Sequence, residues 1–118
     1  PPPFIDTPEK LQKAINAQIH RTAKAVATLS ARGVEVVFVR LPSGGEYLRF
    51  ERRVFPREST WDQLLQRTGA PGIHFEDYPE LQGYMLPEWS HLSADEADRF
   101  TRALAPLAEA KFQAAASP

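Results

Sequence analysis

The sequence predicts an α/β chain, a parallel sheet flanked by helices, and three observations carry that prediction. The run Val34-Glu35-Val36-Val37-Phe38-Val39-Arg40-Leu41 is β-branched and almost continuously apolar, the pattern of a strand buried on both faces. A long helical periodicity precedes it with only Gly33 between them, which is the helix–glycine–strand rhythm of α/β folds. A second short apolar stretch, Ile73-His74-Phe75, follows two further helical segments, so the connection is long enough for a right-handed parallel crossover.

Taken in order, Pro1-Pro2-Pro3 can neither start a helix nor join a sheet interior, and residues 1–7 read as linker-like. Asp6 or Thr7 caps the first helix, with Pro8 at its first position where a missing N–H does no harm. Leu11, Ile15, Ile19, Val26 and Leu29 keep the helical period to about Arg32, and Gly33 stops it. His20 reads as a surface or rim histidine. The strand Val34–Leu41 ends in Pro42-Ser43-Gly44-Gly45, a loop at the carboxyl end of the sheet, where open α/β sheets bind ligands. Glu46 to Phe55 reads as a short helix ended by Pro56, with Arg49, Arg52 and Arg53 on a solvated face. Thr60-Trp61-Asp62-Gln63 matches a capping box for a helix that Gly69 ends. Pro79 to Gly83 is a turn or helical loop. The last helix starts at Ala94, behind a second capping box, Ser93-Ala94-Asp95-Glu96, and buries Ala97, Phe100, Leu104 and Leu107. Pro106 falls inside that stripe and is expected to kink or fray it, and residues beyond Ala114 are expected to be loose.

Composition narrows the function classes. A chain of 118 residues is one domain at most, with a modest core. A net charge of −1 gives no electrostatic footprint for nucleic acid or an anionic membrane. The lack of cysteine excludes disulfides, thiolate metal sites and a cysteine nucleophile. No apolar run reaches the length of a membrane span, and the start shows no signal-peptide pattern. Two strands make a poor sheet, so the open edge is expected to pair with an upstream segment or with a second copy of the chain. The 118 residues then form either a single α/β domain or the C-terminal portion of a larger one.

The loop Leu86-Pro87-Glu88-Trp89-Ser90-His91-Leu92-Ser93 carries the chemistry. It sets a carboxylate three residues before a histidine, directly ahead of a capped helix. A carboxylate in that place can orient an imidazole and stabilise its cation, so His91 is a candidate general base. The bland alternative is a histidine that only hydrogen-bonds in a turn.

The Gly33–Pro42 strand, the Gly72–Asp77 strand end, and Glu88-Trp89-Ser90-His91-Leu92-Ser93 with its following helix resemble the C-terminal half of SGNH/GDSL-type serine hydrolases, flavodoxin-like α/β esterases and lipases. The resemblance spans about Gly33 to Leu107. It implies a partial flavodoxin-like (SGNH-type) sheet lacking its N-terminal strands. In that family an Asp-x-x-His-Leu segment before the last helix supplies the acid and base of the triad; His91 matches the base, and Glu88 stands where the family usually has aspartate. The family's Gly-Asp-Ser nucleophile block and its oxyanion-hole blocks have no counterpart here. The resemblance therefore implies a segment that carries base and acid while the nucleophile lies outside the chain, with a small-molecule or carbohydrate ester as substrate and no cofactor.

Alternatives stand beside it. Ser43, at the carboxyl end of the first strand and followed by two glycines, is the serine placed to act as an internal nucleophile, although Pro-Ser-Gly-Gly is also an ordinary turn. A non-catalytic module of the same fold would hold a partner or sugar through Trp89, Tyr84 and Tyr78. His74, Glu76, Asp77 and His91 offer metal-ligand chemistry but no recognised ligand spacing, and a core or edge histidine is the plainer role for His74.

Overall fold

A computed structural model describes residues 6–89 and 91–116. Most of the linker-like start, residues 1–5, together with Ser90 of the loop motif and residues 117–118, lies outside the described residues. The element order is α1 (Pro8–Ala31), β1 (Phe38–Arg40), α2 (Gly45–Val54), α3 (Trp61–Thr68), β2 (Gly72–His74) and α4 (Ala94–Ala116), with single 3-10 turns at Arg57–Ser59, Phe75–Asp77 and Pro79–Leu81. The chain is a mixed α/β molecule dominated by helix, and its strands form one parallel pair. No helix among the described residues is long and apolar enough to cross a membrane.

The parallel pair aligns Phe38 with Gly72, Val39 with Ile73 and Arg40 with His74. Alternation along the strands sends these side chains to two layers. On one side, Gly72 lies against Trp61 and Leu65 of α3, and Phe38 and Arg40 share a groove with Ile15 and Ile19 of α1 and with Trp61 and Leu64. On the other side, Ile73 is fully buried in a cluster with Phe75, Leu81 and Phe100, onto which Val37, Leu104 and Leu107 pack. The sheet is thus sandwiched between α1 with α3 and α4. A β-carbon at Gly72 would sit 2.6 Å from the Trp61 ring, so the glycine is what lets α3 close onto β2.

The helix starts and stops follow local rules. The Thr7 hydroxyl accepts the Lys10 N–H at 3.1 Å and caps α1 with Pro8 behind it. Gly33 and Gly69 take positive φ of 78° and 71° at the ends of α1 and α3. Four sequence expectations need correction. The strand expected over Val34–Leu41 is regular only over Phe38–Arg40, and Val34 and Leu41 are exposed, because nothing among the described residues pairs with the outer edge of β1. The Thr60 capping box does not form: its hydroxyl donates to the Pro56 carbonyl at 2.8 Å, drawn back by the preceding 3-10 turn. The Ser93 box forms by half. Ser93 Oγ accepts the Glu96 N–H at 3.3 Å, while the Glu96 carboxylate turns to Arg99 at 2.7 Å. Finally, of the kink or fraying expected at Pro106, the fraying does not occur: α4 continues to Ala116, with Pro106 itself on the exposed side.

Candidate functional site

The loops at the carboxyl ends of β1 and β2 meet in one place. After β1 the chain turns through Pro42 and Ser43, both buried, into Gly44 at the start of α2. The Gly44 N–H donates to the Trp89 carbonyl at 2.7 Å, which ties this turn to the Glu88/His91 loop. The tie is reinforced by shape. A β-carbon at Gly45 would fall 2.8 Å from the Trp89 indole, and Gly45 has φ 55°, so a side chain here would meet both strain and the ring. Trp89 has φ 61°, the single positive value at a non-glycine residue among those described. Such a conformation costs roughly 1–3 kcal/mol and persists only where its surroundings enforce it. Here the enforcing contacts are the Gly44 bond, the turn from Trp89 N–H to the Leu86 carbonyl at 2.9 Å, and the glycine beneath the ring.

His91 therefore stands between two anchored neighbours in the motif: Trp89 docked on Gly44 and Gly45, and Leu92 packed against the core cluster. Its Nδ1 lies 3.4 Å from Glu88 Oε2. The pairing turns the Nδ1 edge of the ring toward the carboxylate. Both side chains are open to water, 77% exposed for His91 and 78% for Glu88. Ser43 is on the same edge, one residue before the Gly44 tie, yet it is only 6% exposed, and its Oγ accepts from Arg40 Nη2 at 3.3 Å. The structure thus gives His91 to Glu88 and Ser43 to Arg40. A cavity of about 300 Å³ opens beside Ser43, lined also by Gly44, Leu48, Phe75, Tyr84 and Leu86 among others, with neither Glu88 nor His91 in its wall.

Behind this edge lies an ion-pair lattice that sequence reasoning did not find. Arg40 pairs with Glu51, Arg52 with Glu76, and Arg57 Nη2 with Asp77 Oδ2 at 2.7 Å. Arg40 also lies over the Phe75 ring, 5.6 Å from its centre. The hydrogen bonds and charge of Arg57 hold the Asp77 carboxyl below its ordinary range, and Asp77 in turn holds the Arg57 guanidinium above its own. Of the α2 arginines, read from sequence as a solvated face, Arg52 cross-links to Glu76 of the β2 turn, while Arg49 pairs locally with Glu46 and Arg53 lies over the Phe50 ring. The one available signal was charge balance, four acidic residues spread over Glu51, Asp62, Glu76 and Asp77 against Arg40, Arg52 and Arg57, and that fixes no pairing without the fold.

His74 is buried at the end of β2, edge-on to Trp61 and stacked on Phe75. Its Nδ1 accepts the Glu76 N–H at 3.2 Å, and burial together with Arg57 lowers its affinity for a proton. Among the described residues, no group of three metal-ligating side chains gathers. No family model, curated protein or solved structure matches the chain.

Proposed function

We propose that the chain is the C-terminal segment of an SGNH-like ester hydrolase, with His91 as general base, Glu88 as its carboxylate partner, and a serine nucleophile supplied from outside these 118 residues. The observation that supports it is the Glu88–His91 pair, held 3.4 Å apart on a loop clamped to the carboxyl end of a parallel strand pair. In the proposed reaction His91 Nε2 takes the proton of the serine hydroxyl as its oxygen bonds to the ester carbonyl carbon. The same proton passes to the departing alcohol as the carbon–oxygen ester bond breaks. Water, deprotonated by His91, then releases the acid and regenerates the serine. Glu88 holds the Nδ1 proton and balances the imidazolium formed in each half.

The second reading is a non-catalytic binding module of the same fold. Its support is the burial of Ser43 and the bond it accepts from Arg40, which hold that hydroxyl away from a nucleophile's role.

Fluorophosphonate labelling with mass mapping separates the readings. The folded 118-residue chain is expected to stay unlabelled. Joined to a segment bearing a Gly-Asp-Ser block, it is expected to label on that serine, and His91→Ala should cut the labelling rate about 10³-fold or more. A label on Ser43 that His91→Ala abolishes would replace this reading with a self-contained hydrolase. No label in either form leaves the binding module.

A further inference from the structure

His74 is the buried titratable group that the ester chemistry does not use. It is 5% exposed, and its ring is fixed by Trp61 on one side and Phe75 on the other, with centroids 5.4 and 5.3 Å away. Its Nδ1 receives the Glu76 N–H, so the neutral ring carries its proton on Nε2. That bond caps the 3-10 turn Phe75–Asp77. The turn's carbonyl side is closed by Gln82, whose Nε2 donates to the carbonyls of Glu76 and Tyr78 at 3.0 and 3.2 Å. Phe75, Glu76, Leu81 and Gln82 form the floor of the 300 Å³ cavity whose other wall is Ser43, Gly44 and Leu86.

We propose that His74 is a proton-operated latch: neutral, its Nδ1 holds the Phe75–Asp77 turn against the strand end, and proton uptake releases that turn and loosens the floor of the carboxyl-edge cavity. A protonated ring has a donor at Nδ1, which would face the Glu76 N–H donor, so one hydrogen bond becomes a like-dipole contact. The charged surroundings make protonation costly in place. Arg40 faces the ring from β1, Glu51 and Arg52 from α2, and Arg57, tied to Asp62 of α3, from the turn before that helix. Glu76 and Asp77 face it from its own turn, Glu76 Oε1 being 3.9 Å from Nε2, and Lys111 of α4 acts on Asp77. Two of these carboxylates are already engaged by Arg52 and Arg57, so the arginines and the burial set the direction: proton uptake is weaker in the closed turn than in the open one. The sign follows. The open turn binds the extra proton, so the latch holds above the ordinary imidazole range and opens as pH falls below it.

The test reads the whole folded chain by NMR between about pH 7 and pH 5, above the carboxylate range. At neutral pH the imidazole spectrum of His74 should show a bare Nδ1 and a protonated Nε2. Below about pH 6.5 the opening constant read from the Glu76 and Gln82 amides should rise about tenfold per pH unit, while the amides of α1 and α4 keep their protection. His74→Asn places a carbonyl oxygen near the Nδ1 position and cannot titrate, so it should keep the two amides protected across the range. The opposite tautomer, amide protection independent of pH, loss of protection only together with α1 and α4, or an unchanged acid response in folded His74→Asn would each overturn the latch. The tautomer and the amide profile are read on the unmodified chain, so the inference is decided even where the variant does not fold.

Discussion

At the scale of single residues, close approach sets the costs. Gly72 gives the clearest case, because its φ is ordinary and its constraint is space alone: an added methyl would meet Trp61 at 2.6 Å and Leu65 at 2.8 and 2.9 Å. The leucine end can swing, but the indole is held by its contact with His74, so something in the α3–β2 seam must shift. Gly72→Ala should therefore lower the unfolding free energy by about 1–3 kcal/mol, the usual cost of overpacking, read from urea midpoints at unchanged slope. The Arg57–Asp77 pair gives a second prediction with a defined pH window. Asp77 binds protons less readily in the folded chain than the ordinary 3.8, so its contribution is present above that value and is lost as pH falls through the lower, folded one. Arg57→Gln should flatten the acid side of the stability profile and, because the Arg57 charge also lowers the proton affinity of His74, weaken the His74 response at higher pH without abolishing it, since burial still acts on the ring. The partners are far apart in sequence and half-exposed. That is why residue types alone did not announce the pairing, whereas the buried character of His74 was legible from its place inside an apolar stretch.

At the scale of elements, local rules and long-range contacts divide the outcome. α1 is legible throughout: cap, proline, period and terminal glycine lie within one stretch of chain, and the helix runs where they place it. The glycine stop of α3 is equally local, but its cap is not. Thr60 has the right residue type, yet the 3-10 turn before it presents the Pro56 carbonyl first, and the hydroxyl donates there. Thr7→Ala should accordingly cost about 1 kcal/mol through loss of the bond to the Lys10 N–H, while Thr60→Ala should cost less, since no helix N–H loses its partner. Thermal unfolding of the two single variants decides it; equal losses would mean that the Thr60–Pro56 bond carries the turn. The loop motif belongs to this scale as well. Sequence placed His91 ahead of a serine cap, and Ser93 does receive the Glu96 N–H. What sequence did not show is that the loop is pinned from across the molecule by Gly44 and Gly45, a contact between positions more than forty residues apart.

At the scale of the whole molecule, shape bears on the open sheet edge. The Cα radius of gyration is 15.9 Å, within extents of 42 × 39 × 21 Å. A compact chain of this length is expected near 13–14 Å, so the molecule is a flat, open layer. Val34 and Leu41, at the two ends of the apolar run around β1, are 45% and 55% exposed. The backbone explains what they border. The Phe38 N–H donates to the Pro71 carbonyl, toward β2, so by alternation the Val39 N–H points away from β2, to the outer edge. Among the described residues β1 has two of the devices that blunt an edge strand, its three-residue length and the charge of Arg40, but no proline or lysine, and no strand pairs with its outer edge. The isolated chain is therefore expected to self-associate through this edge, with a sedimentation coefficient that rises with concentration. Val39→Pro removes only an outward N–H and leaves the Phe38–Pro71 bond, and proline is tolerated on an edge strand. The variant should keep the far-ultraviolet spectrum of the folded chain and sediment as a monomer at every concentration. Association that persists in folded Val39→Pro would move the contact to an apolar side-chain surface, with the Tyr47 and Phe50 face of α2 the next to test, both of them nearly half exposed. A chain that stays monomeric throughout would show instead that this short edge is tolerated in solution without a partner strand.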